Sequence, residues 1–407
     1  MLQNKKLRQN WPCVFYHILF ISDIIFSMDK LISSREFDIF CGNGIAFDYV
    51  CEHIINMARG LEAFRGRKIA ICSDREVSGY FYNKFENQFI KKGIKPTLIS
   101  VDSISSSKNI ASVEKVVKTL SEFDFGPNDF LIAFGGGGIL DIASFAKTLF
   151  DSSIGLVFVP TTLSAMTSGV LARRAYLNCA GHKNELSVEN KPSVAILDPQ
   201  FVRTGTGKVR TNGNAEVVRL ALLSDISIIK GLTTNVNAED GNAFRVFMNE
   251  VYRLWNQVEL MDARLFTAGE ELRISIENYF RFMNYSEGEA LALSILSMVD
   301  DARREVLVKI YGLLHLPTKL DGVSSPMIMR KVKEYYDHKS LIDGELVEIV
   351  DYNQASNKWI VRSVNKQTAI KMIEERVKKI CGPSHSDLIH DQLIQFTKKN
   401  EDILEKK

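Results

Sequence analysis

The sequence predicts an α/β domain on a mostly parallel sheet, followed by an α-helical domain, and three observations point to it. Up to about residue 204, short apolar β-rich runs alternate with helical patterns. Beyond that point the strand signals nearly stop and long stretches of helical periodicity take over. Four consecutive glycines, Gly135–Gly138, close one predicted strand and open a predicted helix. Such alternation is the mark of βαβ units, whose crossover helices cover both faces of a parallel sheet. A chain of 407 residues also exceeds what one small core organises and suits two domains. The expected division is an N-terminal extension over 1–34, an α/β domain over 35–204, a helical domain over 205–397 and a charged tail over 398–407, with a cleft between the two domains.

The extension is the first element to justify. Lys5, Lys6 and Arg8 precede an apolar run from Trp11 to Ser27 that superficially resembles a signal sequence or anchor. His17 and Asp23 interrupt it, and an aspartate at mid-membrane costs about 2.5–3.5 kcal/mol. The run is short for a span, and Met28 directly after it offers another start, so a cytoplasmic protein without a membrane segment is expected.

Strands are expected at Lys68–Cys72, Pro96–Val101, Asp129–Phe134, Gly155–Pro160 and Ser193–Asp198, with helices at Tyr80–Lys92, Ile110–Glu122 and Ile139–Phe150 between them. Helical periodicity then covers Gly213–Ile229, Asn242–Met261, Phe266–Phe282, Gly288–Tyr311 and Met327–Tyr336. A late β-like pair, "ELVEIVD" and "KWIVRSV", precedes a last helix starting near Lys366.

Composition excludes several classes. The chain is 45% hydrophobic and 25% charged, as a globular protein is. Its 51 basic and 49 acidic side chains leave a formal charge of +2, which is no nucleic-acid footprint. Six scattered cysteines without a CxxC pair argue against a disulfide framework or zinc knuckle and for a reducing compartment.

The glycine run is the first chemical signal. Glycine between a strand and a helix lets a ligand approach the backbone, and free N–H groups at the helix start attract a phosphate. The run is not a GxGxxG fingerprint, and no acidic residue at the right distance completes one. On the glycines alone, a tight strand–helix turn and a dinucleotide or phosphate site both stand.

The flanking text narrows this. "FGGGGILDIASFAKTLF…GLVFVPTTLSAM" resembles the 3-dehydroquinate synthase family, the parent of the sugar phosphate cyclases, with its GGGxxxD turn, helix, strand and PTTLLAM stretch. "GHKNELSVENKPSVAILDPQFVRT" and "NGNAEVVRLALL" resemble that family's glycine-lysine-asparagine, proline–strand–aspartate and AEVIK elements. "FDIFCGNGI" and "SDREV" look like its first strand and cofactor turn, and "SEGEALALSIL" like its HGEAVAIGM helix. The likeness spans about residues 36–380.

The resemblance implies a dehydroquinate synthase-like fold with a Rossmann-like first domain, a homodimer, NAD as cofactor and a phosphorylated sugar as substrate. Family members oxidise a hydroxyl, eliminate phosphate, return the hydride and close a carbocycle by aldol addition. By this likeness Gly135, Gly136 and Gly137 cradle the pyrophosphate, Asp141, Thr161 and Thr162 meet the nicotinamide end, and Asp74 and Lys108 hold the adenosine end. Asp141 also has a plain reading as a first-turn helix carboxylate, and the threonines as a strand end.

The catalytic text departs from the pattern. The family holds zinc with one Glu and two His. Glu216 in "NAEVV" matches the Glu, but "GEELRISIE" against GHTFGHAIE puts Glu270 at the first His, and "SEGEA" puts Glu287 at the second. The proton-transfer His that follows is Ile274. Imidazole suits zinc, whereas an all-carboxylate set suits magnesium, manganese or calcium. Glu216, Glu270 and Glu287 are therefore either ligands of a hard divalent cation or carboxylates of a lost site, and Arg219, three residues from Glu216, can pair with it. The family aspartate after PTTLLAM is Ser168, its phosphate-binding arginine Ser152, its GGKTG lysine Arg174 and its AEVIK lysine Arg219. Lys183 and Asn184 persist in "HKNEL", and "DHKSLIDGEL" keeps part of a DKK…DGxL element.

A divergent cyclase is therefore expected, acting on a phosphorylated ketose or heptulose, with Lys183, Arg174 and Arg219 as catalytic cations and Lys183, Asn184 and Asn178 on the substrate. A non-catalytic cyclase-fold partner and an NAD-dependent polyol dehydrogenase are the alternatives. The missing histidines count against the latter as well.

Overall fold

Runs rich in Ile, Val and Phe with every position apolar are strands buried on both faces, as a parallel sheet requires. In the computed structural model they are: β3 (Ile69–Asp74) and β5 (Phe130–Gly135) are buried at every residue. The structure describes residues 29–31, 35–44, 46–102, 108–151, 153–205, 207–236, 241–281, 284–343, 346–353, 356 and 358–381. The apolar run Trp11–Ser27, Ser152 and the tail after Thr397 lie outside the described residues.

The chain forms two compact units. One comprises the described residues up to Thr204 with those of 238–249, the other those of 205–237 and from Glu250 onward. The first holds a seven-stranded sheet in the order β1-β2-β9-β6-β5-β3-β4. Its strands are β1 (Asp29–Lys30), β2 (Asp38–Cys41), β3, β4 (Thr97–Val101), β5, β6 (Gly155–Pro160) and β9 (Val194–Leu197). All neighbours run parallel except the two-residue edge pair β1 and β2. From β3 the chain steps outward to β4, then returns to β5 on the other side of β3. That reversal is a topological switch point, where the carboxyl ends of open α/β sheets bind ligands. An antiparallel hairpin, β7 (Arg174–Cys179) with β8 (His182–Glu189), carries a bulge between Leu177 and Cys179. Nothing in the sequence reading anticipated it.

Packing stiffens the switch point. Phe134, the residue before the glycine run, meets Phe85, Phe201 and Phe47 at centroid distances of 5.4, 5.3 and 5.9 Å. The buried Asp198 accepts from Gly44 N and Ala46 N (3.0 and 3.1 Å) and so holds the start of the Ala46–Met57 helix to the end of β9.

The second unit is helical, with helices Gly207–Leu223, Glu270–Tyr279, Glu287–Met298, Asp301–Leu314, Ser325–Asp343 and Lys366–Ile380 and the hairpin β10 (Leu346–Asn353) with β11 (Lys358–Asn365). Three expected continuous helices are broken, the first being Gly213–Ile229, which ends at Leu223 before a 3₁₀ turn at Ile226–Ile228. Phe266–Phe282 becomes a 3₁₀ turn, Ala263–Thr267, and a helix from Glu270, because Gly269 sits at φ 79°. Gly288–Tyr311 divides where Asp300 starts a new helix by accepting from Arg303 N at 2.9 Å. Buried Arg376 donates to Glu271 Oε1 (3.0 Å) and Val350 O (2.9 Å), tying the last helix to the hairpin and to the Glu270–Tyr279 helix. Among the described residues no helix is long and apolar enough to cross a membrane.

Candidate functional site

The glycine run has two different halves. A Cβ on Gly135 would lie 2.6 Å from Ile139 Cγ1, and one on Gly136 would lie 3.3 Å from Thr162 Cγ2, so these two glycines serve close internal packing. At Gly137 and Gly138 a Cβ would meet nothing within 4 Å. These open glycines begin the Gly137–Phe150 helix, whose N-cap, Gly136, offers no side-chain acceptor to the first turn. Exposed N–H groups at a helix start suit an anion.

Two hydroxyls beside this turn are orphaned. Thr161, just past β6, bonds its N–H to Gly135 O at 2.9 Å, while its buried Oγ1 has no hydrogen-bond partner. Ser73 Oγ on β3, paired in register with Phe134 of β5, is buried and equally unpartnered. A buried hydroxyl without a partner costs about 1–3 kcal/mol. The reading of the sequence missed Ser73. Its signal is the polar residue that ends an otherwise apolar strand beside Asp74. Asp74 itself accepts from Val77 N (2.8 Å) as the N-cap of the Arg75–Ile90 helix, and burial pushes its carboxyl up. Thr162 Oγ1 accepts from Ala165 N at 3.2 Å, and Ser168 Oγ donates to Ser164 O at 2.8 Å.

A polar cluster forms around Asp141, on the second turn of the glycine helix. Lys108 Nζ lies 2.6 Å from Asp141 Oδ2 and 3.1 Å from Asn184 Oδ1. Asp141 Oδ1 accepts from Tyr176 N at 3.2 Å, Asn178 N donates to Lys108 O at 2.8 Å, and Asn178 Oδ1 accepts from Asn184 N at 3.1 Å. Asn184 is held at φ 55°, a left-handed conformation that costs a non-glycine residue energy and often marks a functional position. The structure thus unites Lys108, Asp141, Asn178 and Asn184, with half-buried Lys183 adjoining. Lys108 lies against Asp141, the residue assigned to the opposite end of the cofactor.

Arg174 is placed elsewhere. It is exposed, opposite Glu189 at the base of the hairpin, and donates to Ser187 Oγ at 2.7 and 2.9 Å. Six residues of β8 at about 3.3 Å each separate that point from Lys183, which stands near the hairpin tip. Arg174 and Lys183, expected in one catalytic set, therefore stand toward opposite ends of the hairpin.

In the second unit Glu216, Glu270 and Glu287 do converge, but on guanidinium groups. Arg219 donates to Glu216 Oε2 (2.6 Å) and Glu270 Oε1 (2.8 Å). Arg273, 2% exposed, donates from Nε to Glu270 Oε2 (3.0 Å), from Nη2 to the same carboxylate, and from Nη1 to Glu277 Oε2 (2.7 Å) and Glu287 Oε1 (2.8 Å). Burial pushes Glu216 up against the pull of Arg219. At Glu270 burial acts the same way, but Arg273 and Arg219 outweigh it and hold the carboxyl below its usual range. Guanidinium groups hold both oxygens of Glu270, Oε2 of Glu216 and Oε1 of Glu287, an arrangement that does not suit a metal ion. Among the described residues no group of three or more His, Cys, Asp or Glu is placed to hold one. Of the two readings left open for these glutamates, this geometry favours carboxylates of a lost site paired with Arg219 and Arg273.

Comparison with known proteins gives a consistent picture. The family description "3-dehydroquinate synthase N-terminal" matches residues 98–211. A 3-dehydroquinate synthase of Clostridium kluyveri is 24% identical over 255 residues, covering 60% of this chain and 70% of that protein. Among solved structures, 2-epi-5-epi-valiolone synthase from Streptomyces hygroscopicus, with NAD+ and Zn2+ bound, superposes with a TM-score of 0.69 at 18% identity, covering 85% of this chain and 98% of its own. A 2-deoxy-scyllo-inosose synthase complexed with carbaglucose-6-phosphate, NAD+ and Co2+ gives 0.68 at 16% identity, covering 86% and 99%.

Proposed function

We propose that this chain, whose sequence and fold resemble those of 3-dehydroquinate synthases, is a divergent NAD-dependent cyclase of a phosphorylated ketose or heptulose. The observation that carries the cofactor is the pair of orphaned hydroxyls, Ser73 Oγ and Thr161 Oγ1, at the switch point beside the open glycines. Gly137 and Gly138 would take the pyrophosphate on the free N–H groups of their helix. Ser73 and Thr161 would give the dinucleotide two hydroxyls, and the Lys108–Asp141 pair would orient its polar groups. NAD, when bound, supplies a hydride acceptor that takes up and returns the same hydride. Lys183 would neutralise the substrate phosphate and favour its departure, while Asn184 and Asn178 hold the hairpin tip in its strained form.

The test is phosphate release from ketose and heptulose phosphates by protein loaded with NAD. Lys183→Ala should lower it by about two orders of magnitude, as loss of one preorganised stabilising group does, with the melting temperature nearly unchanged. A variant as active as wild type would remove Lys183 from the substrate wall.

A second reading, an NAD-binding partner subunit without turnover, is favoured by one observation: the Arg219 guanidinium is held by Glu216 and Glu270. Wild type that binds NAD but releases no phosphate from any of these substrates would establish it over the first.

A further inference from the structure

We propose that the guanidinium groups of Arg273 and Arg219 have taken the place of a divalent metal in this chain, so that Glu216, Glu270 and Glu287 form a closed ion-pair cage that leaves no metal site. In the register of "GEELRISIE" against GHTFGHAIE, Arg273 stands at the segment's second glycine. A position without a side chain has thus gained a long cationic one, on the same turn of helix where the first histidine has become Glu270. The two changes complement each other. Two histidine-to-glutamate replacements add two negative charges, and an arginine one residue before the lost proton-transfer histidine reaches both new carboxylates.

The geometry of the cage is that of a carboxylate–guanidinium network and not of a coordination sphere. Both oxygens of Glu270 are taken, Oε1 by Arg219 and Oε2 by Arg273. Arg273 spends donors on three carboxylates, one of which, Glu277, is as buried as Arg273 itself at 2%. Guanidinium does not deprotonate in proteins, and here it is tethered to the helix that carries Glu270. A dication entering the cage would have to displace a covalently held cation and break several charge-assisted hydrogen bonds. Four carboxylates against two guanidiniums leave a formal charge of −2, so the metal is opposed not by charge but by the guanidiniums that hold both oxygens of Glu270 and one oxygen each of Glu216, Glu277 and Glu287.

The probe is Mn2+, followed by electron paramagnetic resonance and calorimetry, with melting curves in Mn2+, Zn2+ and EDTA. Wild type should bind no Mn2+ at the cage, and its melting temperature should not respond to chelator. One Mn2+ or Zn2+ per chain, lost in Glu270→Gln, would overturn the proposal. Arg273→Ala frees the carboxylates and should take up one Mn2+ at least about tenfold more tightly than wild type, a difference of about 1.4 kcal/mol. That uptake should raise the variant's melting temperature and vanish when Glu287→Gln is added. A folded Arg273→Ala that stays blind to Mn2+ also overturns the idea, because the carboxylates would then not be gathered around a cation position. Should this variant not fold, Arg273→Lys, which keeps one charge, should fold and ignore Mn2+; a lysine variant that binds the ion refutes replacement by charge. NAD titration run in parallel reads the other unit, so failure here and failure of the cyclase reading give different results.

Discussion

At the scale of single residues, the glycine run teaches how one motif divides its labour. Gly135 and Gly136 are packed from within, so substitution at Gly136 would press on Thr162 and confound binding with folding. Gly137 separates the two. Its Cβ position is open, its φ is not in the left-handed region, and alanine at a helix start is at least as good a helix former. Gly137→Ala should therefore keep the melting temperature while NAD affinity, read by calorimetry, falls at least about tenfold. Unchanged affinity would place the pyrophosphate elsewhere. The run was legible in the sequence, but which glycine faces outward was not. That depends on Ile139 and Thr162, whose side chains reach the turn only after the helix and β6 have packed.

At the scale of elements, the helices of the second unit cross too closely to tolerate even a methyl group at one point. A Cβ on Gly288, in the first turn of Glu287–Met298, would lie 2.2 Å from Asn212 Cα on the Gly207–Leu223 helix. Asn212 Oδ1 accepts from Gly288 N at 2.8 Å across the same contact. Gly288→Ala must push the two backbones apart, and overpacking of this kind costs at least about 2 kcal/mol. Urea denaturation reads it, and a neutral substitution would show that the two helices are free to separate. The element breaks at Gly269 and Asp300 show the limit of periodicity. Apolar spacing continued through both sites, while a left-handed glycine and an aspartate cap ended the helices for local backbone reasons. The hairpin β7–β8 escaped for a similar reason. Its exposed face is polar, and its turn, Ala180–Gly181 at φ 49° and 83°, lacks the usual Asn-Gly signal.

At the scale of the whole molecule, charge pairing in the second unit ties stability to pH. Glu270 has its folded carboxyl held below the ordinary value near 4.5, because Arg273 and Arg219 outweigh burial. A depressed carboxyl contributes stability that is fully present above its unfolded value and is lost as pH falls through the folded one. The melting-temperature gap between wild type and Glu270→Gln should therefore be widest near neutrality and narrow as pH falls below the ordinary carboxyl value of 4.5. A gap that stays constant across that range would mean that the charge on Glu270 does not matter. Glu216 and Glu271, pushed up by burial, act in the opposite sense and should reduce stability as pH rises through their folded values.

What the sequence determined by itself is whatever depends on neighbours along the chain. The parallel strands from Ile69 to Leu197, the helical second unit, the glycine turn after β5 and the i,i+3 pair of Glu216 and Arg219 were all readable as local pattern. The family likeness also singled out Asp141, Lys183 and Asn184 as candidates. Only the tertiary structure decided what lies far apart in sequence. It brought Lys108 to Asp141 and Asn184, left Ser73 and Thr161 without partners, sent Arg174 to the far end of its hairpin, and closed Arg273 over Glu270, Glu277 and Glu287. Three glutamates in a sequence read equally as a cation site or as paired carboxylates. Which of the two they become depends on whether a guanidinium reaches them first, and that reach is a property of packed helices.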